Sequence, residues 1–211
     1  MSAVVCPTIT AETPAVYRQQ MHDVASFARR LHIDLADGQL APITLLDPMR
    51  IWWPAGIDVD VHIMYQDPAP AIEAVLPLHP DLIIIHAESQ GNFFDLAAHI
   101  HQADVRVGVA LLQDTPVENI VGALDYIDHV LVFSGELGHF GGHVDFHLLN
   151  KVEQLRKLKP HIEIAWDGGI NAQNARRLAL GGVQVLNVGG YIHKSRNPRE
   201  AYHTLYSLVS H

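Results

Sequence analysis

The chain alternates between short apolar runs and longer segments whose apolar residues recur at helical spacing. The runs are rich in β-branched residues and almost wholly apolar, as expected of parallel strands that are buried on both faces. The eight runs are Ala3–Cys6, Leu31–Leu35, Val59–Met64, Asp81–Ile85, Arg106–Leu111, His129–Phe133, Ile162–Trp166 and Val183–Val188. The segments with helical spacing include Val16–Arg30, Phe93–His101, Val117–Leu124, Phe146–Leu158 and Ala172–Leu180. Eight such β-then-α units predict an α/β fold, a (β/α)8 TIM barrel that occupies residues 1–211 as a single domain.

The main alternative is an open doubly wound sheet. Against it, the sequence has no Gly-x-Gly-x-x-Gly motif after the first strand and no Walker loop. The weakest unit follows Leu35, where Pro42, Pro48 and Pro54 leave room only for a short helix around Ile43–Ile51. We interpret that stretch as an ordered βα loop that could act as a lid.

Composition narrows the kind of partner. Apolar residues make up 48% and charged residues 18%, which excludes wholesale disorder. The net charge of −9 argues against a global attraction to nucleic acid or an anionic membrane, but it leaves a local phosphate pocket possible. One cysteine, Cys6, excludes an intrachain disulfide, and the N-terminal residues lack the pattern of a signal peptide. We therefore expect a soluble cytoplasmic protein with no nucleic-acid or membrane partner.

Polar residues gather where the predicted strands end, which is where barrel enzymes place their chemistry. His32 shares a strand face with Asp34, and Asp60 shares one with His62, because residues i and i+2 point the same way. Asp167 directly follows the seventh run. Two imidazoles and two carboxylates at strand ends would bind a divalent metal, and mixed nitrogen and oxygen ligands suit Zn²⁺, Fe²⁺, Mn²⁺ or Co²⁺.

Other polar residues nearby have simpler interpretations. Asp37 precedes Gly38 and is expected to be a turn residue. Asp60 lies deeper than His62 and is expected to be structural. For His86 and Glu88 the sequence leaves two roles open, support of the site or membership of a loop.

Glycine-rich loops follow the last three predicted strands. Glycines let backbone N–H groups approach an anion, and the loops after strands seven and eight are the usual phosphate site of such barrels. These glycines are Gly138, Gly141, Gly142, Gly168, Gly169, Gly189 and Gly190, and a helix is expected to begin near Asn171. Tight turns are the alternative explanation for any one pair, but three successive loops favour phosphate.

Several motifs in order resemble the ribulose-phosphate 3-epimerase family. The segment 32–38 is similar to the family's His-x-Asp-x-Met-Asp-Gly, and 60–64 to its Asp-Val-His-Leu-Met. Residues 166–170 resemble Val-Asp-Gly-Gly-Ile, and 133–143 resemble Met-Ser-Val-Glu-Pro-Gly-Phe-Gly-Gly-Gln with His139 inserted. Pro7-Thr8-Ile9 stands for Pro-Ser-Ile, and 187–190 for Val-Ala-Gly-Ser. The match is collinear from about residue 5 to residue 202.

The resemblance implies a ribulose-phosphate-binding barrel and an isomerase that interconverts ribulose 5-phosphate and xylulose 5-phosphate. It implies one divalent metal ion held by His32, Asp34, His62 and Asp167, with Asp34 and Asp167 as the two acid/base groups. It also implies that the ketose phosphate contacts Thr8, His62, Met64, Gly138, Phe140, Gly141, Gly142, Gly168, Gly169, Gly189 and Gly190. A homo-oligomer is possible.

The chain also departs from the family pattern. Ala36 and Phe133 replace methionines, and Leu137 replaces a proline. Gly190 replaces a serine that could donate to phosphate, and the bulky Trp166 is expected to crowd the position before Asp167. These changes leave open a 3-epimerase of another ketose phosphate, such as allulose 6-phosphate.

Other classes of barrel differ in the residue types that they require. A non-catalytic sugar-phosphate-binding barrel is the alternative outside enzymes. A Schiff-base aldolase needs a lysine at a strand end, and only Lys194 lies near the mouth. The related decarboxylases and hexulose-phosphate synthases carry Asp-x-Lys-x-x-Asp on the third strand, where this chain has no lysine.

Overall fold

Each strand of the barrel pairs with the next one along the chain, and the last closes the ring against the first. The computed structural model describes residues 3–137, 139 and 141–210, and eight parallel strands lie in this part of the chain. They are β1 (Val4–Ile9), β2 (Arg30–Ala36), β3 (Asp58–Met64), β4 (Leu82–His86), β5 (Arg106–Leu111), β6 (His129–Phe133), β7 (Glu163–Asp167) and β8 (Val185–Val188). The predicted (β/α)8 barrel is confirmed.

Helices surround the strands. The α-helices are α1 (Pro14–Val24), α2 (Ala69–Val75), α3 (Phe93–Gln102), α4 (Leu149–Leu158), α5 (Ala175–Leu180), α6 (Gly190–His193) and α7 (Pro198–Val209). The 3₁₀ helices are Pro48–Arg50, Leu76–Leu78, Val117–Tyr126 and Phe146–Leu148. Among the helices of the described residues, none combines the length and the apolar character needed to cross a bilayer.

Helix boundaries differ from the sequence prediction at three places. The helix predicted to reach Arg30 ends at Val24, because Arg30 already begins β2. The helix expected near Asn171 begins at Ala175, since the Asn171 and Asn174 side chains first bond the turn backbone. The segment predicted to be helical over Val117–Leu124 extends to Tyr126 and is a 3₁₀ helix. In its first turn the Asn119 N–H donates to the carbonyl oxygen of Pro116, three residues earlier.

The stretch predicted as an ordered βα loop after β2 is confirmed. Its one 3₁₀ turn, Pro48–Arg50, is capped by the Asp47 carboxylate. Leu45 N–H donates to Ala36 O at 3.0 Å, and Leu46 N–H donates to Ala11 O at 2.8 Å. These bonds hold the loop against the ends of β1 and β2, beside the mouth of the barrel.

The barrel has an apolar middle. Its interior layer consists of Cys6, Leu82, Ile84, Ala110, Leu131, Ala165 and Val185, all fully buried. A larger apolar layer fills the space between the strands and the helices, and Trp166 belongs to that outer layer. Trp166 therefore points away from the barrel axis, on the opposite side of the strand from Asp167, because neighbouring strand residues face opposite sides.

A charged network closes the barrel below this apolar layer. Arg30 Nε lies 2.8 Å from Asp60 Oδ2, and its two terminal nitrogens lie 2.8 Å from the two Glu163 oxygens. His129 Nδ1 contacts Glu163 Oε2 at 2.8 Å. Burial opposes ionisation of Glu163, but the hydrogen bonds from Arg30 and His129 hold the pKa of that carboxyl well below its usual range. The predicted structural role of Asp60 is confirmed.

Replacing Asp60 by Asn should destabilise the fold by about 3–5 kcal/mol, because it breaks a buried ion pair and leaves Arg30 partly uncompensated. The free energy of unfolding from urea titration measures the effect. The matched control is Glu153→Gln, which breaks the exposed Glu153–Lys157 pair and should leave the urea midpoint unchanged. Equal, small effects for the two variants would contradict this account of the network.

Candidate functional site

A cavity of about 220 Å³ opens at the carboxyl ends of the strands. Asp34 and Asp167 line it, together with Thr8 and Met64. Glycines of three loops also line it, namely Gly135, Gly141, Gly142, Gly168, Gly169, Gly189 and Gly190. The structure thus brings together the predicted acids and the described glycines. Predicted substrate contacts at Gly138 and Phe140 lie outside the described residues.

Two histidines and two aspartates converge at the floor of this cavity. His32, Asp34, His62 and Asp167 each offer a ligand atom, and these atoms lie within 4.8 Å of one another. His32 Nε2 is 3.3 Å from Asp34 Oδ1 and 3.5 Å from Asp167 Oδ2. His62 Nδ1 is 2.9 Å from Asp34 Oδ1. The register of β2 against β3 explains part of this, since Asp34 lies directly opposite His62.

The donor set fits a divalent metal ion. His32 is fully buried, and its Nε2 has no hydrogen-bond partner among the described residues although two carboxylates face it. A buried polar atom without a partner is costly unless a ligand satisfies it. Two nitrogen and two oxygen donors at this spacing could hold Zn²⁺, Fe²⁺, Mn²⁺ or Co²⁺.

Asn187 supports the ring of His32 from β8. Its Nδ2 lies 3.1 Å from His32 Nδ1, and its buried Oδ1 has no partner in the described chain. Rotating this amide by half a turn would let Oδ1 accept the Nδ1–H of His32. His32 Nε2 would then present a lone pair to the cavity, the form needed in a metal ligand.

The two aspartates have opposite electrostatic environments. Burial would raise the pKa of Asp34, but the imidazoles of His32 and His62 beside its carboxylate hold the pKa below its usual range. Thr10 Oγ1 also donates to Asp34 Oδ2 at 2.6 Å. Burial and the nearby charge of Asp34 raise the pKa of Asp167 to about 7. Near neutral pH the pair therefore contains one ionised carboxylate and one carboxyl that readily exchanges a proton.

His86 and Glu88 connect directly to this cluster. His86 Nε2 lies 2.8 Å from His62 Nε2, and His86 Nδ1 lies 3.0 Å from Glu88 Oε2. The structure thus resolves the open question in favour of support of the site. Asp37 is a turn residue as predicted, since its Oδ1 accepts from the backbone N–H groups of Gln39 and Leu40.

The loops after β6 and β7 meet backbone to backbone. Gly168 has φ +104°, and a Cβ added there would lie 2.3 Å from Gly135 N. A Cβ on Gly169 would lie 2.6 Å from His143 C, and Gly169 N–H already donates to Gly141 O at 3.0 Å. Gly168 and Gly169 are therefore needed for the close packing of the two loops. The sequence analysis favoured phosphate binding for these glycines and gave a structural role, in tight turns, as the alternative.

Sequence reasoning missed two features of the cavity. Thr10 lies just beyond β1, on the same side as Thr8, and its hydroxyl bonds Asp34. The i, i+2 spacing from Thr8 was the available signal. Lys194, noted only as lying near the mouth, lines the cavity beside Gly189 and Gly190.

The model of the ribulose-phosphate 3 epimerase family matches residues 4–193. Curated relatives agree with this match. A ribulose-phosphate 3-epimerase of Helicobacter pylori is 28% identical over 186 residues, covering 84% of this chain and 85% of the relative. A ribulose-phosphate 3-epimerase of Bacillus subtilis is 27% identical over 207 residues, covering 93% and 95%.

Solved structures show the same fold. The 3-hexulose-6-phosphate synthase of Salmonella typhimurium superposes with a TM-score of 0.72 at 14% identity, covering 98% of each chain. The 3-keto-L-gulonate-6-phosphate decarboxylase of Vibrio cholerae gives a TM-score of 0.70 at 10% identity, covering 99% of this chain and 98% of the other.

The barrel, its strand-end acids and these matches define an isomerase built on a (β/α)8 barrel. The chain belongs to the ribulose-phosphate 3 epimerase family, because the family model spans nearly all eight β-then-α units. The resemblance seen in the sequence motifs is confirmed.

Gly168→Ala should lower the free energy of unfolding by at least about 3 kcal/mol, because the added methyl would overlap the backbone of Gly135. The matched control is Gly56→Ala. Gly56 also has a positive φ, +84°, but no heavy atom lies within 4 Å of the position that its added methyl would take. Backbone strain alone should cost the control about 1–2 kcal/mol. Equal losses in urea titrations of the two variants would show that contact between the loops is unimportant.

Proposed function

We propose that this protein is a metal-dependent ketose-phosphate 3-epimerase that interconverts ribulose 5-phosphate and xylulose 5-phosphate. The observation that carries the proposal is the pair of carboxylates, Asp34 on β2 and Asp167 on β7, both near His32 Nε2 at the cavity floor. The names of the curated relatives supply the substrate. We also propose that residues 1–211 form a single domain, which the continuous series of elements from Val4 to Val209 supports.

Epimerisation at C3 requires removal of a proton from one face of the carbon and delivery of a proton to the other. One base cannot easily reach both faces, whereas two carboxyl groups on different strands can. The ionised Asp34 accepts the C3 proton of one epimer, and the electrons of the C–H bond pass into an enediolate. The protonated Asp167 then donates its proton to the opposite face of C3. The reverse reaction exchanges the two roles.

His32, Asp34, His62 and Asp167 would hold the metal ion. The chemistry supplied by such an ion is electrostatic stabilisation of the negative charge that develops on the substrate oxygens. Thr10 orients the Asp34 carboxylate through its 2.6 Å hydrogen bond. Met64 packs with Ala36, Ala41 and Leu45, so an apolar wall borders the reacting carbon and limits access of water.

The phosphate end lies at the glycine loops after β6, β7 and β8. Gly190 offers no side-chain donor there, and Gly169 N–H is already bonded. Lys194 lines this end of the cavity, and in the described chain no carboxylate pairs with its ammonium group. We assign Lys194 to the substrate phosphate, with Thr8 Oγ1, which is buried without a partner among the described residues, as a second donor.

Proton NMR of ribulose 5-phosphate in heavy water tests the proposal. With metal-loaded protein we expect loss of the C3 proton signal and formation of xylulose 5-phosphate, and chelation of the metal should stop both. Exchange into allulose 6-phosphate alone would replace the substrate assignment. Metal binding without exchange into any ketose phosphate would overturn the epimerase and favour a binding protein.

Asp34→Asn and Asp167→Asn should each lower kcat by about 10³-fold, because each removes one of the two proton-transfer groups. In heavy water, each variant should still exchange deuterium into the epimer whose C3 proton faces the remaining carboxylate, without converting it. Metal content is measured alongside, because both residues are predicted ligands. The control is Asp125→Asn, an exposed carboxylate outside the cavity. Appreciable turnover by either site variant would contradict the assignment.

Lys194→Met should raise KM for the ketose phosphate by about 10-fold or more and leave kcat nearly unchanged, since the lost bond to phosphate is made in both ground and transition states. Lys194→Arg should retain most of the affinity. Lys157→Met, on an exposed face of α4, is the matched control. An unchanged KM for Lys194→Met would remove Lys194 from the phosphate site.

A further inference from the structure

A buried glutamine interrupts the apolar face of α1. That face consists of Tyr17, Gln20, Met21 and Val24, and all four side chains are buried. A buried amide is costly unless its oxygen accepts and its nitrogen donates hydrogen bonds. Gln20 meets this requirement with one residue: its Oε1 accepts from the Thr10 N–H at 3.0 Å, and its Nε2 donates to the Thr10 carbonyl oxygen at 3.0 Å.

This pairing holds the backbone just beyond the end of β1. The ladder between β1 and β2 runs as far as Ile9, which lies opposite Ile33, and Thr10 is the next residue. The two bonds also fix which amide atom is which, because the atom facing an N–H must be oxygen and the atom facing a C=O must be nitrogen. Residue 10 is therefore attached to α1 through both of its backbone polar groups.

The Thr10 side chain extends these contacts to the cavity floor. Its hydroxyl donates to Asp34 Oδ2 at 2.6 Å. The other carboxylate oxygen, Oδ1, lies 3.3 Å from His32 Nε2 and 2.9 Å from His62 Nδ1. The terminal torsion of an aspartate is soft, so without the hydroxyl the carboxylate could turn and exchange its two oxygens. Each oxygen instead keeps its own neighbours, and Oδ2 retains a second lone pair.

We propose that Gln20 is a positioning residue that acts through Thr10 on Asp34. It keeps Oδ1 with the candidate metal ligands and leaves Oδ2 to accept the C3 proton. The inference rests on the proposed function and adds to it a residue of α1. Thr10 lines the cavity, and Gln20 holds it in place from the helix. The orientation of a reacting group affects the rate of a reaction as strongly as its presence does.

The competing explanation is that Gln20 only satisfies two backbone groups and so stabilises the fold. In that case its loss should have the same effect on the site whether or not residue 10 carries a hydroxyl. If Gln20 acts through the hydroxyl, its loss should have no further effect once the hydroxyl is gone. A double-mutant cycle on Gln20 and Thr10 therefore distinguishes the two explanations.

Thr10→Val removes the hydroxyl and preserves the shape of the side chain. We expect the Zn²⁺ affinity of the metal-free protein, measured by calorimetry, and the kcat of the metal-loaded protein each to fall by about 10–100-fold. KM should be nearly unchanged, because the hydroxyl orients Asp34 and does not hold the phosphate. Thr10→Ser, which keeps the hydroxyl, should recover most of both. Unchanged Zn²⁺ affinity and kcat in Thr10→Val would overturn the inference.

Gln20→Met removes both bonds to Thr10 and keeps the length of the side chain. In the wild-type background it should lower Zn²⁺ affinity and kcat by about 10-fold, and in the Thr10→Val background it should lower neither further. Equal losses in the two backgrounds would overturn the inference. Urea titration shows whether each variant is folded. If Gln20→Met does not fold, Gln20→Asn takes its place, since its neutral amide is one methylene too short to reach both backbone groups.

Tyr17→Phe is the matched control for a general loosening of α1. Tyr17 lies on the same face as Gln20, and its hydroxyl donates to the Trp52 carbonyl oxygen at 2.6 Å and accepts from the Trp52 N–H at 3.2 Å. Its loss frees another backbone segment and leaves Thr10 in place, so Zn²⁺ affinity should not change. A fall as large as that in Gln20→Met would overturn the inference.

Failure of the epimerase itself is distinguishable from failure of this inference. The heavy-water exchange experiment detects the first, whereas Zn²⁺ affinity is measured without substrate and completes the cycle by itself. A wild type that binds no Zn²⁺ would overturn the inference, because Gln20 would then have no ligand to position.

Discussion

Every ionised group inside the barrel needs a partner of opposite charge, and this requirement is met differently at the two ends. At the lower end the Arg30 guanidinium pairs with both Asp60 and Glu163, and Arg106 adds a second cation 3.4 Å from Glu163. At the upper end Asp34 and Asp167 share a site with histidines, and no lysine or arginine of the described residues pairs with either. The lower end is therefore complete within the chain, whereas the upper end presents a donor set that could hold a cation from outside.

The apolar layer between the two ends keeps these networks separate. Leu82, Ile84 and Leu131 fill the axis of the barrel, and small residues such as Ala110 and Ala165 fit between them. Charges interact strongly in such a medium, so direct contact between Arg30 and the upper carboxylates would hold their pKa values down. The separation lets one end provide stability and the other provide chemistry.

Much of this arrangement could be predicted from alternation along the strands. The i, i+2 pairs place Asp34 nearer the mouth than His32, and His62 nearer the mouth than Asp60. This spacing was enough to predict a site role for Asp34 and His62 and a structural role for Asp60. A helix is expected after every strand, but no bounds could be given for α2 and α7, because prolines and polar residues weaken their periodic patterns. The contribution of Thr10, the outward orientation of Trp166 and the packing of Gly168 on Gly135 depend on tertiary contacts that no local pattern encodes. The single domain and the homo-oligomer remain predictions.

The one cysteine of the chain lies in the apolar layer at the centre of the barrel. Burial raises the pKa of the Cys6 thiol well above its usual value, so the reactive thiolate is scarce and shielded from reagents in the native state. Because Cys6 is fully buried in the closed ring, a reagent can reach this sulfur only when the barrel opens. The rate of thiol labelling therefore reports how often the closed barrel opens, and the native chain carries this probe without substitution.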